Sequence, residues 1–174
     1  MHVIAKLGCE DEIVARGFAP QNAVTRHYKT GRAELTLPLK NAHQARYGQP
    51  YIHIHRADLH DCLHRAAKTA GVTFHLGVDV ESVAQDGQSV VVNAGHDRIG
   101  GDALIGADGI HSNVRKSLFQ KRSSNFTGQV AWRGTVKTGD VPEGLISHDA
   151  NVWLGPGRHF VAYYLRGGAL INFV

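Results

Sequence analysis

The stretch 102-DALIGADGIHSNVRKSLF-119 decides how this chain is read. Ala103, Leu104 and Ile105 open it as an apolar run of strand length, and Val114, Arg115 and Leu118 close it at helical spacing. The joint between them holds Gly106, Asp108, Gly109 and Ser112. A strand that passes through a glycine-containing turn into a helix aims the free N–H groups and partial positive charge of that helix at the strand end. Such a place suits phosphate or ribose hydroxyls. Gly106 and Gly109 let backbone approach a ligand, Asp108 can accept from hydroxyls, and Ser112 can cap the helix. The same residues equally suit an ordinary capped turn in which Asp108 and Ser112 serve only their own backbone, and the turn alone does not choose.

Working outward, Leu59, Cys62, Leu63, Ala66, Ala67 and Ala70 mark one helical face within ADLHDCLHRAAKTAG, with Gly71 as its stop. Strands are expected at VTFHLGVDVESVA (72–84), at QSVVVNA (88–94) after an Asp86-Gly87 turn, and at DALIGA. Upstream, Val3, Ile4, Leu7, Ile13 and Val14 fall at near-helical spacing interrupted by Gly8, and 22–38 reads as a hairpin turning near Thr30 and Gly31. Gly48 and Pro50 punctuate the chain before YIHIH. From Phe126 the text becomes antiparallel strands with Gly-Pro-Gly and Gly-Gly breaks, so a subdomain change is expected at 120–126. The fold class is α/β with an α+β mixture.

With 174 residues and 43% hydrophobic content, a packed soluble domain is within reach. The formal charge of +4 is spread over scattered basic residues, from Arg26 to Arg122, with no run of five or six and little aromatic interleaving; this argues against a nucleic-acid partner. Cys9 and Cys62 form neither a disulfide framework nor a C-x-x-C site and read as reduced thiols. No window reaches 18 apolar residues and the start lacks a signal-peptide pattern, so no membrane association and a cytoplasmic location are expected. His60-Asp-Cys-Leu-His64 imitates a zinc-protease helix, but the shorter Asp61 and the lack of a third ligand argue against a metal. His53 and His55 share one side of a strand and read as surface or substrate-domain neighbours more than as ligands. Trp132, Trp153, Tyr163 and Tyr164 suit either an aromatic pocket or the core of a sheet. Arg133 suits a substrate carboxylate or a strand edge.

ALIGADGIHSNVR, residues 103–115, resembles the Asp-Gly fingerprint of the flavoprotein aromatic hydroxylases, the group built like para-hydroxybenzoate hydroxylase. IHRADLHDCL is similar to the strand-to-helix segment of that family whose arginine lies by the flavin, and 126–174 resembles the salicylate hydroxylase-type branch. The likeness covers essentially the whole chain. It implies FAD as cofactor, NADH or NADPH as reductant and a small aromatic substrate, with a homodimer as a candidate assembly. It carries Asp108 and Gly109 over as cofactor-binding residues, Arg56 as the arginine near the ribityl and phosphate, and Val80 as backbone beside the adenine. Ser112 and Arg115 are expected to shape the turn. A partial FAD-binding domain over 1–21 and 51–122 and a partial substrate domain over 22–50 and 123–174 follow from the same resemblance.

The family's G-x-G-x-x-G unit and its acidic partner do not occur in these residues, nor does its later Gly-Asp motif. The chain therefore reads as an internal fragment, inactive or nearly so alone. The alternative reading is a non-catalytic remnant that binds or dimerises through exposed sheet edges and apolar surface.

Overall fold

The structure is a computed structural model that describes residues 1–119 and 125–174; the expected boundary at 122/123 lies outside these described residues. The chain forms two compact units, Met1–Val72 with Ala131–Val174, and Thr73–Val130.

In the larger unit, α1 (His2–Lys6) and α2 (Glu10–Arg16) are separated at Gly8, whose φ of 69° a residue with a side chain rarely adopts. Glu10, Asp11 and Glu12 occupy the first turn of α2, where the helix dipole favours acids. The hairpin β1 (Asn22–His27) and β2 (Ala33–Pro38) forms as its pattern predicts, followed by α3 (Lys40–Tyr47), which the sequence reading did not anticipate. The polar composition of α3 gave no apolar stripe to read, and Gly48 ends it in the left-handed region. Helix α4 (Arg56–Thr69) matches its predicted span, and its Cys62 packs with Cys9 and Ile13 in a cluster joined by Ile52, Ile54, Leu59 and Leu63. Above that cluster Arg16 pairs with Glu12 at 2.9 Å and Asp61 at 3.2 Å, and Arg65 pairs with the same two carboxylates.

The smaller unit holds the antiparallel meander β3 (Ser82–Gln85), β4 (Val90–Ala94) and β5 (Asp97–Gly101), with α5 (Asn113–Phe119) beside β3. The Asp86-Gly87 turn forms as expected: the Asp86 carboxylate accepts the N–H groups of Gln88 and Ser89 at 3.0 and 2.9 Å. Two expected strands are corrected. Of 72–84 only the last three residues, Ser82 to Ala84, enter a strand, and 102–107 is none; the ladder closes on Gly101 instead. An apolar run becomes a strand only where another strand supplies its hydrogen bonds, and among the described residues none pairs with 102–107. Leu104 and Ile105 are exposed as a result. Gly100 and Gly101 concealed β5, since glycine carries no strand signal.

Returning to the larger unit, β6 (Gly134–Lys137), β7 (Ala150–Gly155), β8 (Arg158–Leu165) and β9 (Leu170–Phe173) complete a six-stranded sheet ordered β2-β1-β7-β8-β9-β6. Strand β1 runs parallel to β7, from Ala23 opposite Ala150 to His27 opposite Leu154, and the other pairs are antiparallel. Ala162, Tyr164 and Ile171 form the core on one face of this sheet, with Phe18, Val136, Ile146 and Trp153 against them.

Candidate functional site

At the glycine turn, Asp108 Oδ1 accepts from the Ser112 hydroxyl at 2.5 Å, and Oδ2 accepts from the backbone N–H groups of Asn113 and Val114 at 2.8 and 3.1 Å. Ser112 Oγ in turn accepts the N–H of Arg115 at 2.9 Å, which is the predicted cap. The Ser112 hydroxyl and these backbone donors hold the Asp108 carboxyl below the usual carboxylate range. The N–H of Asp108 itself adds to these donors, so the carboxylate is fixed in place at the turn. The two glycines differ in purpose. A Cβ on Gly106 would lie 2.9 Å from Val114 Cγ1, so Gly106 lets the turn close on α5, whereas Gly109, at φ 77°, has nothing within 4 Å of that position.

Arg115 donates to Ile110 O at 2.6 Å and shapes the turn as expected. Asn113 Nδ2 donates to Val80 O at 2.8 Å, which brings Val80, Asp108 and Gly109 together in the smaller unit. Val80 lies two residues before β3 and not on a strand, because the ladder begins only at Ser82. Arg56 belongs to the larger unit, where it is the exposed first residue of α4. His55 caps that helix by accepting the Ala57 N–H at 3.3 Å. Asp58, in the same first turn, is held by Arg166 through bonds of 2.7 and 2.8 Å that keep its carboxyl below the ordinary range. The α4 start thus presents the Arg56 guanidinium and helix N–H groups to an anion. Each unit thus has its own group suited to a polar ligand: an exposed guanidinium at a helix start in the larger one, and a carboxylate beside open glycine backbone in the smaller.

His53 acquires an importance its sequence context did not signal. Its ring lies 4.4 Å from that of Tyr163 and 5.4 Å from that of Tyr51, and burial pushes its pKa down to about 4 against the opposing effect of the Tyr164 backbone. His53 is neutral at physiological pH, and its Nδ1 is buried without a hydrogen-bond partner. It sits at an isolated bridge to Phe18, not on the regular strand expected for YIHIH. Of the other aromatic candidates, Trp153 and Tyr164 pack in the sheet core, the Tyr164 hydroxyl donating to Ile146 O at 2.9 Å, while Trp132 is 85% exposed. Arg133 is exposed.

In the segment that imitates a zinc site, Asp61 is taken up by Arg65 and Arg16, and burial with Cys9 and Glu12 beside it pushes the Cys62 thiol up to about 12. Among the described residues no three His, Cys, Asp or Glu side chains converge to hold a metal ion, and no helix is long and apolar enough to cross a membrane.

A family profile described as "FAD binding domain" matches residues 1–158. The 3-hydroxybenzoate 6-hydroxylase of Polaromonas naphthalenivorans (strain CJ2) is 35% identical over 175 residues, covering 99% of this chain and 44% of that protein. Among solved structures, CtdE in complex with FAD and substrate superposes with a TM-score of 0.81 at 16% identity, covering 95% of this chain and 42% of that one. A salicylate hydroxylase substrate complex matches with a TM-score of 0.76 at 22% identity, covering 99% and 44%. The chain spans less than half the length of these proteins.

Proposed function

The chain belongs to the FAD binding domain family, and from that premise we propose that it carries part of the cofactor and substrate sites of an FAD-dependent, NAD(P)H-using monooxygenase that hydroxylates a small aromatic acid such as salicylate or a related ring. The observation that carries this reading is the 35% identity, across 99% of the chain, with a hydroxylase of an aromatic acid. When bound, FAD supplies the redox chemistry, accepting reducing equivalents from NAD(P)H and activating O₂ for hydroxyl transfer.

The protein's own part is binding and positioning. Arg56 and the first turn of α4 attract the phosphate and ribityl region, Asp108 accepts a cofactor hydroxyl, and Gly109 lets the backbone come close. Val80 lies along the adenine through its backbone, whose carbonyl is held to the turn by Asn113. Neutral His53, with Tyr51 and Tyr163, offers aromatic surface and an acceptor for a phenolic proton. Residues 1–21 and 51–122 serve the cofactor, and 22–50 and 123–174 serve the substrate; the joining of β1 and β2 to β6–β9 in one sheet supports that grouping. A cytoplasmic location belongs to the same reading, supported by two buried, unpaired cysteines.

The test is an FAD titration of the purified chain followed by quenching of flavin fluorescence. Saturable binding is expected, weakened about tenfold or more by Arg56→Ala and by Asp108→Ala. Parent-like binding by both variants overturns the residue assignment. Absence of binding up to about 1 mM FAD, a level at which even about 4 kcal/mol of affinity is visible, overturns the cofactor role of this chain and turns attention to protein partners.

A further inference from the structure

Strand β8 alternates its side chains between the two faces of the sheet, so Tyr163, against His53, and Phe160 point to opposite sides. On the Phe160 side, beyond the core cluster, a cavity of about 600 Å³ opens where the end of β1 meets the β7–β8 hairpin. Its aromatic walls are Tyr28, Trp153 and Phe160, Pro156 and Arg158 stand at the turn, and His159, from the Tyr163 side of β8, closes it at the strand's start. Trp153 and Phe160 are directly opposed in register with ring centroids 5.5 Å apart. Tyr28 is admitted by a glycine: a Cβ on Gly155 would stand 3.1 Å from Tyr28 Cγ.

The electrostatics of this cavity have one sign. Arg158 lines it, the Arg26 guanidinium stands 5.8 Å from the centroid of Trp153, and Lys29 Nζ stands 5.6 Å from that of Tyr28. Arg26 is fixed by Asn151 Oδ1 at 2.8 Å, Ser147 Oγ at 3.0 Å and Gly31 O at 3.2 Å, all uncharged oxygens. No Asp or Glu is in the lining. Asn151, fully buried, receives that bond while its own amide donates to the carbonyls of Ser147 and Asp149, so the cation is held by a fixed framework. A volume of this size suits a small organic ligand. Flat aromatic walls select a planar ring, and Arg158 in the lining, with Arg26 and Lys29 against two of those walls and no carboxylate among the lining residues, selects a negative charge on it.

We propose that this cavity, at the β7–β8 hairpin end of the sheet, is a second binding site for an aromatic carboxylate, apart from His53 and Tyr163. All of its residues lie within 22–50 and 123–174, the spans given above to the substrate, and it is distinguished from that site by using none of His53, Tyr51 and Tyr163.

The probe is 2-naphthoate, titrated calorimetrically into the chain, with 2-naphthamide as its uncharged counterpart. Saturable naphthoate binding is expected, with naphthamide at least about tenfold weaker, the loss of one charge-assisted contact. Arg158→Gln, on an exposed turn, is expected to weaken naphthoate about tenfold and leave naphthamide unchanged, whereas Gly155→Val is expected to weaken both. His53→Asn is expected to leave the Arg158-dependent part of naphthoate binding as in the parent. Equal affinity for acid and amide overturns the proposal, as does naphthoate binding that His53→Asn abolishes and Arg158→Gln does not, which would move the ligand to His53. Absence of naphthoate binding in the folded parent chain overturns it as well.

Discussion

At the residue scale, position 17 has the least tolerance. A Cβ there would lie 2.2 Å from Ile52 Cγ2 and 2.7 Å from the Ile13 carbonyl, and the carbonyl is backbone that cannot step aside. Gly17→Ala is expected to cost on the order of 3 kcal/mol, read as a shift in the urea midpoint. Nothing in the local sequence marks this glycine: its φ of −81° is ordinary, and its necessity comes from Ile52, brought there by the fold. His53 gives a prediction with a definite sign. Its folded pKa near 4 lies below the usual 6.5, so between those values the unfolded chain binds a proton that the folded chain refuses. Stability from this group is present above about pH 6.5 and is lost as pH falls toward 4, by no more than about 2 kcal/mol once solvent screening is allowed for. His53→Gln is expected to flatten that part of the pH–stability profile measured by urea unfolding. The depressed carboxylates of Asp58, Asp61, Glu12 and Asp108 act at lower pH: what they contribute is lost as pH falls through folded values below the ordinary carboxylate range.

At the element scale, α5 shows how a binding turn and a helix cap are built from the same atoms. Ser112, 7% exposed, both donates to Asp108 and accepts from Arg115. Ser112→Ala is expected to destabilise the smaller unit by about 1 kcal/mol, visible as faster amide exchange across Asn113–Phe119. Asp108→Asn tests the other function of the turn. It keeps an oxygen for the helix but removes the charge, so it should weaken FAD more than it disturbs the α5 amides. The residues of this turn were legible in advance because capping is a local matter, decided by side chains within a few positions of the N–H groups they serve. The strand before it was not. DALIGA carries the composition of a buried strand, but composition cannot supply the neighbour that makes one.

At the scale of the whole molecule, the two units are unequally cored. Of the eleven buried hydrophobic residues among those described, only Val90, Ala94 and Val114 lie in Thr73–Val130. Hydrogen exchange followed by mass spectrometry is expected to show the amides of β3–β5 opening at lower free energy than those of β7 and β8. Equal protection in both units would contradict that ranking. Features spaced along the chain within one helix or turn were determined by the sequence itself: the α4 stripe, the 22–38 hairpin, the Asp86-Gly87 turn and the capped Asp108 joint. So was the family resemblance, since it rests on those same short motifs. Only the tertiary structure decided that β1 lies parallel to β7 more than a hundred residues away, that Cys9 meets Cys62, and that Tyr163 presses on His53 to keep it neutral. The first group depends on hydrogen bonds and periodicity between near neighbours; the second depends on burial, which is a property of the assembled surroundings and not of any residue or its neighbours along the chain.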